Sequence, residues 1–76
     1  MAVYKYDVDT CVSQGNSTVT TSLSFATVEQ ALASFNDSIE TRRSSHVAGQ
    51  FWEVTLYDMD IYDIMARISS TDFNLK

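Results

Sequence analysis

The spacing of apolar residues changes once along this chain from every second position to a helical period, and then changes back. Residues 2–12 and 18–25 alternate apolar and polar side chains, as half-buried strands do. Over 27–43 the apolar residues instead recur every three or four positions, which is typical of a helix with one buried face. Alternation resumes over 51–57 and 62–69. We therefore predict an α+β fold in the order ββαββ, with one helix packed on one face of a four-stranded antiparallel sheet.

Short sequence signals mark where these elements begin and end. Gln14-Gly15-Asn16 is a turn signal between the first two strands, so these strands should pair as a hairpin. Thr27 precedes the helical stripe and is a residue type that caps helices, while Arg42 and Arg43 suit the negative end of the helix dipole. The stripe itself consists of Val28, Ala31, Leu32, Phe35 and Ile39.

Length and residue counts limit the possible functions. A chain of 76 residues suits a single domain over 1–76. With one cysteine and one histidine, a disulfide or a Cys/His zinc site within the chain is excluded, and two glycines cannot build a phosphate-binding loop. Cys11 falls at a strand end and His46 in a distant loop, which does not suit nucleophilic catalysis. We therefore expect a non-enzymatic protein without a cofactor or a metal.

The formal net charge of −5 limits the class of partner. A nucleic-acid binder needs a basic face to displace counterions, and an anionic membrane repels an acidic protein. The same charge attracts a basic protein surface, so we expect a protein partner, with a homodimer as a further possibility. Residues 1–5 carry neither the basic nor the apolar segment of a signal peptide, and a cytoplasmic location is expected.

The alternation also predicts which side chains meet the helix. The face opposite the helix should be polar, apart from four residues of the last hairpin that could form one apolar patch: Phe51, Tyr57, Ile61 and Met65. Such a patch indicates either an interface or ordinary surface. The final segment, 70–76, should either fray or pack its two apolar side chains against the sheet edge. The residues expected to face the helix are Tyr4, Tyr6, Val8, Val19, Leu23, Phe25, Trp52, Val54, Leu56, Tyr62, Ile64, Ala66 and Ile68.

Acidic residues gather in the turn between the last two strands and in the first strand. Carboxylates in such numbers could bind a hard cation, but aspartates are also turn formers, and the EF-hand pattern is missing. We expect these side chains to meet a basic partner, with apolar neighbours as anchors. The residues expected to bind the partner are Asp7, Asp9, Glu53, Tyr57, Asp58, Asp60, Ile61, Asp63 and Met65.

In size, charge and element order the whole chain resembles small acidic phage-encoded accessory proteins, among them the anti-CRISPR proteins and other inhibitors of host defence. The segment 52–60, leading into 64–68, is similar to the closing hairpin of many such domains. The resemblance implies an inhibitor that blocks a host nucleoprotein effector in the host cytoplasm, without assigning a role to any residue. Two alternatives stay open: a self-associating structural or regulatory module, paired sheet to sheet or edge to edge, and a small dimeric enzyme.

Overall fold

The computed structural model describes residues 3–76 and has the predicted α+β architecture in the order ββαββ. The predicted start of the first strand at Ala2 lies outside the described residues. Within them, the first strand begins at Tyr6. The elements are β1 (Tyr6–Gln14), β2 (Ser17–Phe25), α1 (Val28–Ser44), β3 (Phe51–Asp58), β4 (Asp63–Ser69) and a C-terminal 3₁₀ turn (Ser70–Phe73).

The four strands form one antiparallel sheet in the spatial order β2-β1-β3-β4. The central strands are therefore β1 and β3, while β2 and β4 are the two edges. Because β2 and β3 both run antiparallel to β1, they are parallel to each other, and α1 makes the connection across the sheet between them. This connection leaves one face of the sheet under the helix and the other face open.

The β1–β2 hairpin closes through a two-residue turn at Gly15 and Asn16. Gly15 has a positive φ of 59°, whereas Asn16 does not. This is the pattern of a type II′ turn, which places glycine first and matches the twist of the two strands. The pairing then runs without a break over nine residue pairs, from Gln14 with Ser17 to Tyr6 with Phe25.

The helix begins and ends as its sequence predicts. The Thr27 side chain accepts a hydrogen bond from the backbone N–H of Gln30 at 3.3 Å, which satisfies one of the free donors of the first turn. Arg42 and Arg43 lie in the last turn, where the helix dipole favours positive charge. Ala31 and Phe35 are the buried residues of α1.

The helix packs mainly on the two central strands. A helix is ~10 Å wide and strands lie ~4.8 Å apart, so one helix covers about two strands. The edge strand β2 is left uncovered: Val19 is 63% exposed and Leu23 49% exposed, so the prediction that they meet the helix is wrong. The buried core consists of Val8, Ala31, Phe35, Trp52, Val54 and Leu56. Tyr6, Phe25, Ala66 and Ile68 pack against this core, as predicted.

A β-bulge changes the faces of β4. Leu56 pairs with Ala66, but the next residue of β3, Tyr57, pairs with Ile64, so Met65 is an extra residue. Beyond the bulge the alternation is inverted, and Ile64 lies on the face away from the helix instead of under it. Tyr62, also expected under the helix, is 81% exposed with a φ of 53° in the turn. Tyr4, which precedes β1, is exposed as well.

The C-terminal segment packs against the sheet, one of its two expected arrangements. Phe73 and Leu75 both contact the core cluster, and the ring centroids of Phe73 and Trp52 lie 6.1 Å apart. Ser70 is buried, and its hydroxyl accepts a hydrogen bond from the Trp52 backbone N–H at 3.3 Å. Among the described residues no helix is both long and apolar enough to cross a membrane.

Candidate functional site

The face of the sheet away from α1, called here the open face, brings Asp7 and Asp9 to its centre. The strand register sets Asp7 between Ser24 of β2 and Tyr57 of β3. Two residues along, Asp9 lies between Ser22 and Thr55. Both aspartates follow from the alternation in β1, because Tyr6 and Val8 lie on the opposite face with the core.

The two carboxylates are like charges in close range. Residues two apart on one strand lie ~7 Å apart along the backbone and on the same face. The Ser24 hydroxyl donates a hydrogen bond to Asp7 Oδ1 at 2.6 Å. Asp9 Oδ1 is buried and accepts no hydrogen bond from the described residues. Burial raises the pKa of Asp9 above its ordinary value of 3.8, the Asp7 charge raises it further, and the Ser22 hydroxyl opposes the shift.

No basic side chain among residues 3–76 makes an ion pair with these aspartates. The salt bridge that the described residues do form joins Arg67 Nε to Glu53 Oε1 at 3.4 Å, also on the open face. Between Asp9 and Arg67 in the sheet lies Thr55, which is 4% exposed. Arg67 is thus already engaged by a carboxylate of its own, and the charge of the Asp7–Asp9 pair is left uncompensated.

A shallow pocket of about 190 Å³ adjoins the pair and is open to solvent. Its walls combine carboxylates with aromatic and thioether groups, a mixture that suits a cationic side chain with an apolar stem. Tyr62 lies in the β3–β4 turn with a positive φ, and it forms part of the wall of this pocket. We call it the acidic pocket, and it is lined by Asp7, Asp9, Tyr57, Met59 and Tyr62.

The aspartates of the β3–β4 turn have local backbone partners. Asp58 Oδ1 accepts a hydrogen bond from the backbone N–H of Asp60 at 3.0 Å, and Asp63 Oδ1 accepts one from the N–H of Ile64 at 3.0 Å. Asp58 and Asp63 also pair across the strands. These contacts are the turn-forming role of aspartate. Because Asp58 follows Tyr57 in the alternation, its position in the register is on the helix side of the sheet, not on the open face.

The expected apolar patch of the last hairpin is only partly assembled. Phe51 and Tyr57 lie at opposite ends of β3, ~20 Å apart at the rise of a strand, so Phe51 does not join the patch. Ile61 and Met65 are exposed, and Ile64 lies beside Tyr57 because of the bulge. The structure adds Met59 and Tyr62, which sequence reasoning assigned to a turn and to the core. The alternation of apolar residues continues smoothly through the bulge, so it carried no signal for this change.

Other chemistry-bearing residues stay apart. Cys11 lies on the open face, opposite Glu53, whereas the His46 ring bonds to the Trp52 indole on the helix side. No three His, Cys, Asp or Glu side chains within residues 3–76 come together in a group that could hold a metal ion. Comparisons with protein families, with curated proteins and with solved structures gave no match to this chain.

Proposed function

We propose that this chain is a non-enzymatic protein-binding domain whose open face captures a lysine or arginine side chain of a basic partner. The observation that carries the proposal is the uncompensated Asp7–Asp9 pair beside Tyr57 and Tyr62. A cation placed there would satisfy the free Asp9 oxygen and remove the repulsion between the two carboxylates. Its alkyl stem would contact the tyrosine rings and Met59.

The surroundings of the acidic pocket supply the rim of an interface. Asp58, Asp60 and Asp63 lie in or beside the β3–β4 turn, with Asp58 on the helix side of the sheet, and they add to the negative field at this end of the sheet, which speeds the approach of a basic partner. Ile61 and Met65 are exposed close by in sequence and offer apolar contacts. Tyrosine is enriched in binding hot spots, and the rim around such a centre is usually polar.

The class of partner follows from this chemistry. Dense lysine and arginine surfaces occur where proteins hold nucleic acid, because phosphates are neutralised there. An acidic domain that occupies such a surface competes with the nucleic acid and inhibits the complex. We therefore propose an inhibitor of a nucleoprotein effector, of the kind that CRISPR systems use, acting in the cytoplasm of the cell that holds this effector.

The pocket is tested with a defined probe, a short arginine-rich peptide, titrated into the labelled protein and followed by amide chemical shifts. We expect the largest shifts at Asp7, Asp9 and Tyr57, with affinity that falls steeply as salt rises. The double variant Asp7→Asn with Asp9→Asn should weaken binding about tenfold or more. A variant with the same charge change on the exposed helix surface, Glu29→Gln with Glu40→Gln, should bind nearly as the wild type does.

Variants of the turn aspartates distinguish a contribution to the association rate from a contribution to binding in the acidic pocket. Asp58→Asn with Asp60→Asn should slow association at low salt but leave the dissociation rate nearly unchanged, because these groups are rim charges.

Equal peptide affinity in the wild type and the Asp7/Asp9 variant would contradict capture in the acidic pocket.

The inhibitor part of the proposal needs its own measurement. Purified RNA-guided effector complexes are assayed for target-DNA binding with and without the protein. Inhibition through the pocket is supported if the wild-type protein abolishes DNA binding and the Asp7/Asp9 variant does not. If the protein binds the peptide but none of the effector complexes loses DNA binding, the domain still binds basic partners, and its action on these complexes is refuted.

A further inference from the structure

The two edges of the sheet are protected very differently. The β4 edge has the bulge at Met65, the charged residues Asp63 and Arg67, and the 3₁₀ turn that follows it. The β2 edge, with the sequence STVTTSLSF, has no charge, no proline and no bulge over its nine residues. Proteins usually guard an open edge by one of these devices, because its free backbone groups pair with other strands. An unguarded edge of this length points to an interface.

The turn geometry identifies which backbone groups of β2 are free. The two-residue turn closes with a hydrogen bond between Gln14 and Ser17. Hydrogen-bonded and non-bonded pairs then alternate along the antiparallel ladder. The odd positions of β2 therefore bond to β1, and the even positions direct their N–H and C=O groups to the open edge. These positions are Thr18, Thr20, Ser22 and Ser24.

We propose that two copies of this chain pair β2 to β2 in antiparallel fashion, with the two-fold axis at Thr21, to form one eight-stranded sheet. Thr21 is the middle residue of β2, so this register pairs all nine residues of each strand. On the helix side it sets Val19 of each copy opposite Leu23 of the other copy. On the open side it sets hydroxyls opposite hydroxyls. The strand is thus complementary to itself on both faces.

The lack of charge on β2 favours a second copy at this edge of an otherwise acidic protein. The formal net charge is −5, yet β2 has no charged residue to oppose pairing. The closest acidic group on the open face is Asp9, one strand further in, opposite Ser22. In the paired sheet the two Asp9 residues lie three strand spacings apart, ~14 Å, which exceeds the Debye length of ~8 Å at physiological salt.

The groove beside β2 supplies the apolar contact. It has a volume of about 820 Å³ and runs between β2 and α1, with Val19, Leu23 and Phe25 on its strand side. Its helix side is polar, with Ser34, Asp37 and Thr41 among the lining residues. Pairing joins the two grooves across the axis and sets each exposed Val19 beside the Leu23 of the other copy, so that two apolar pairs, one on each side of Thr21, lose part of their exposure to water.

Sedimentation velocity over about 1 μM to about 1 mM protein tests the dimer, in the range of dissociation constants expected for a small interface. We expect the sedimentation coefficient to rise from monomer to dimer. Thr21→Lys sets two like charges directly opposite at the axis and should raise the dissociation constant at least about tenfold. Ser44→Lys, with the same charge change on the exposed end of α1, should dimerise as the wild type does.

Cysteine cross-linking tests the register, in a Cys11→Ser background. Thr21→Cys sets two thiols opposite each other in a non-hydrogen-bonded pair, with ~4.5 Å between the Cα atoms, which a disulfide can span. Val19→Cys lies on the same strand and face, but the two copies of that position would be ~13 Å apart along the strands. We expect rapid oxidation to a linked dimer for Thr21→Cys only.

Each outcome decides the proposal. A concentration-dependent dimer that forms the disulfide at position 21 and not at 19 supports it, also where Thr21→Lys fails to fold. A monomer throughout the concentration range, even one that binds extended peptides at β2, overturns it. A dimer that links equally well at both positions, or that Thr21→Lys leaves intact, refutes the β2 pairing.

Discussion

Trp52 donates its indole Nε1–H to Nδ1 of His46 at 3.1 Å. The indole N–H can only donate, so His46 Nδ1 is the unprotonated nitrogen of the ring. The other ring nitrogen, Nε2, then carries the proton and donates to the Lys76 carbonyl oxygen at 3.0 Å. Trp52 is fully buried, and His46 therefore links the centre of the core to the loop after α1 and to the C-terminal segment.

Replacing His46 should destabilise the fold through the tryptophan. His46→Ala removes the acceptor of a buried N–H, and we expect a loss of about 1–3 kcal/mol in the free energy of unfolding. Urea denaturation followed by fluorescence measures this directly, because the chain has one tryptophan. His46→Gln offers a carbonyl acceptor and should recover part of the loss. Unchanged stability in His46→Ala would mean that the bond contributes nothing.

The sequence could predict the strands and the helix because their patterns are local. The switch of period at Thr27 and back near Phe51 marks α1 to within a residue or two. The same reasoning correctly placed Asp7 and Asp9 opposite the core, since one strand fixes both faces.

Three features depended on contacts that a pattern does not record. The bulge at Met65 inverts the faces of β4, so Ile64 and Tyr62 left the predicted core. Sheet order makes β2 an edge that one helix cannot cover, so Val19 and Leu23 are exposed despite perfect alternation. The turn residue Met59 reaches the acidic pocket only because strands one and three are neighbours.

Phe35 and Leu32 should differ sharply in their contribution to stability, although both belong to the apolar stripe of α1. Phe35 is 6% exposed within the core, whereas Leu32 is 44% exposed. We expect Phe35→Ala to cost about 3–5 kcal/mol, and Leu32→Ala less than about 1 kcal/mol. Chemical denaturation of both variants checks the pair. Similar losses would show that the helix packs with another face toward the sheet.

The C-terminal segment should stabilise the fold through Phe73. Its ring packs on Trp52, and the Arg43 guanidinium carbon lies 4.3 Å above the ring centroid. We expect Phe73→Ala to lower the free energy of unfolding by about 1–3 kcal/mol, and Arg43→Ala by about 0.5–1 kcal/mol. Thermal unfolding gives both values. Phe51→Ala, at an exposed phenylalanine on the open face, is the matched control and should cost less than Phe73→Ala.

The Asp9 carboxylate should make the fold less stable as it ionises. Its pKa in the folded chain is raised above 3.8 by burial and by Asp7, so the folded state binds this proton more tightly than the unfolded state. The resulting stabilisation is complete below pH 3.8 and is lost as the pH rises through the folded pKa. Asp9→Asn removes the charge and should be more stable than the wild type at neutral pH, with a difference that vanishes in acid.

Urea midpoints of both proteins, measured from about pH 3 to about pH 8, give the sign of this effect. Asp37→Asn makes the same charge change on the exposed surface of α1 and should show a smaller difference. If the stability of the wild type instead rose relative to that of Asp9→Asn as the pH rose, the fold would favour the charged form of Asp9 in the isolated domain. The acidic pocket would then hold no unfavourable charge for a cationic partner to relieve, and capture through Asp9 would lose its physical basis.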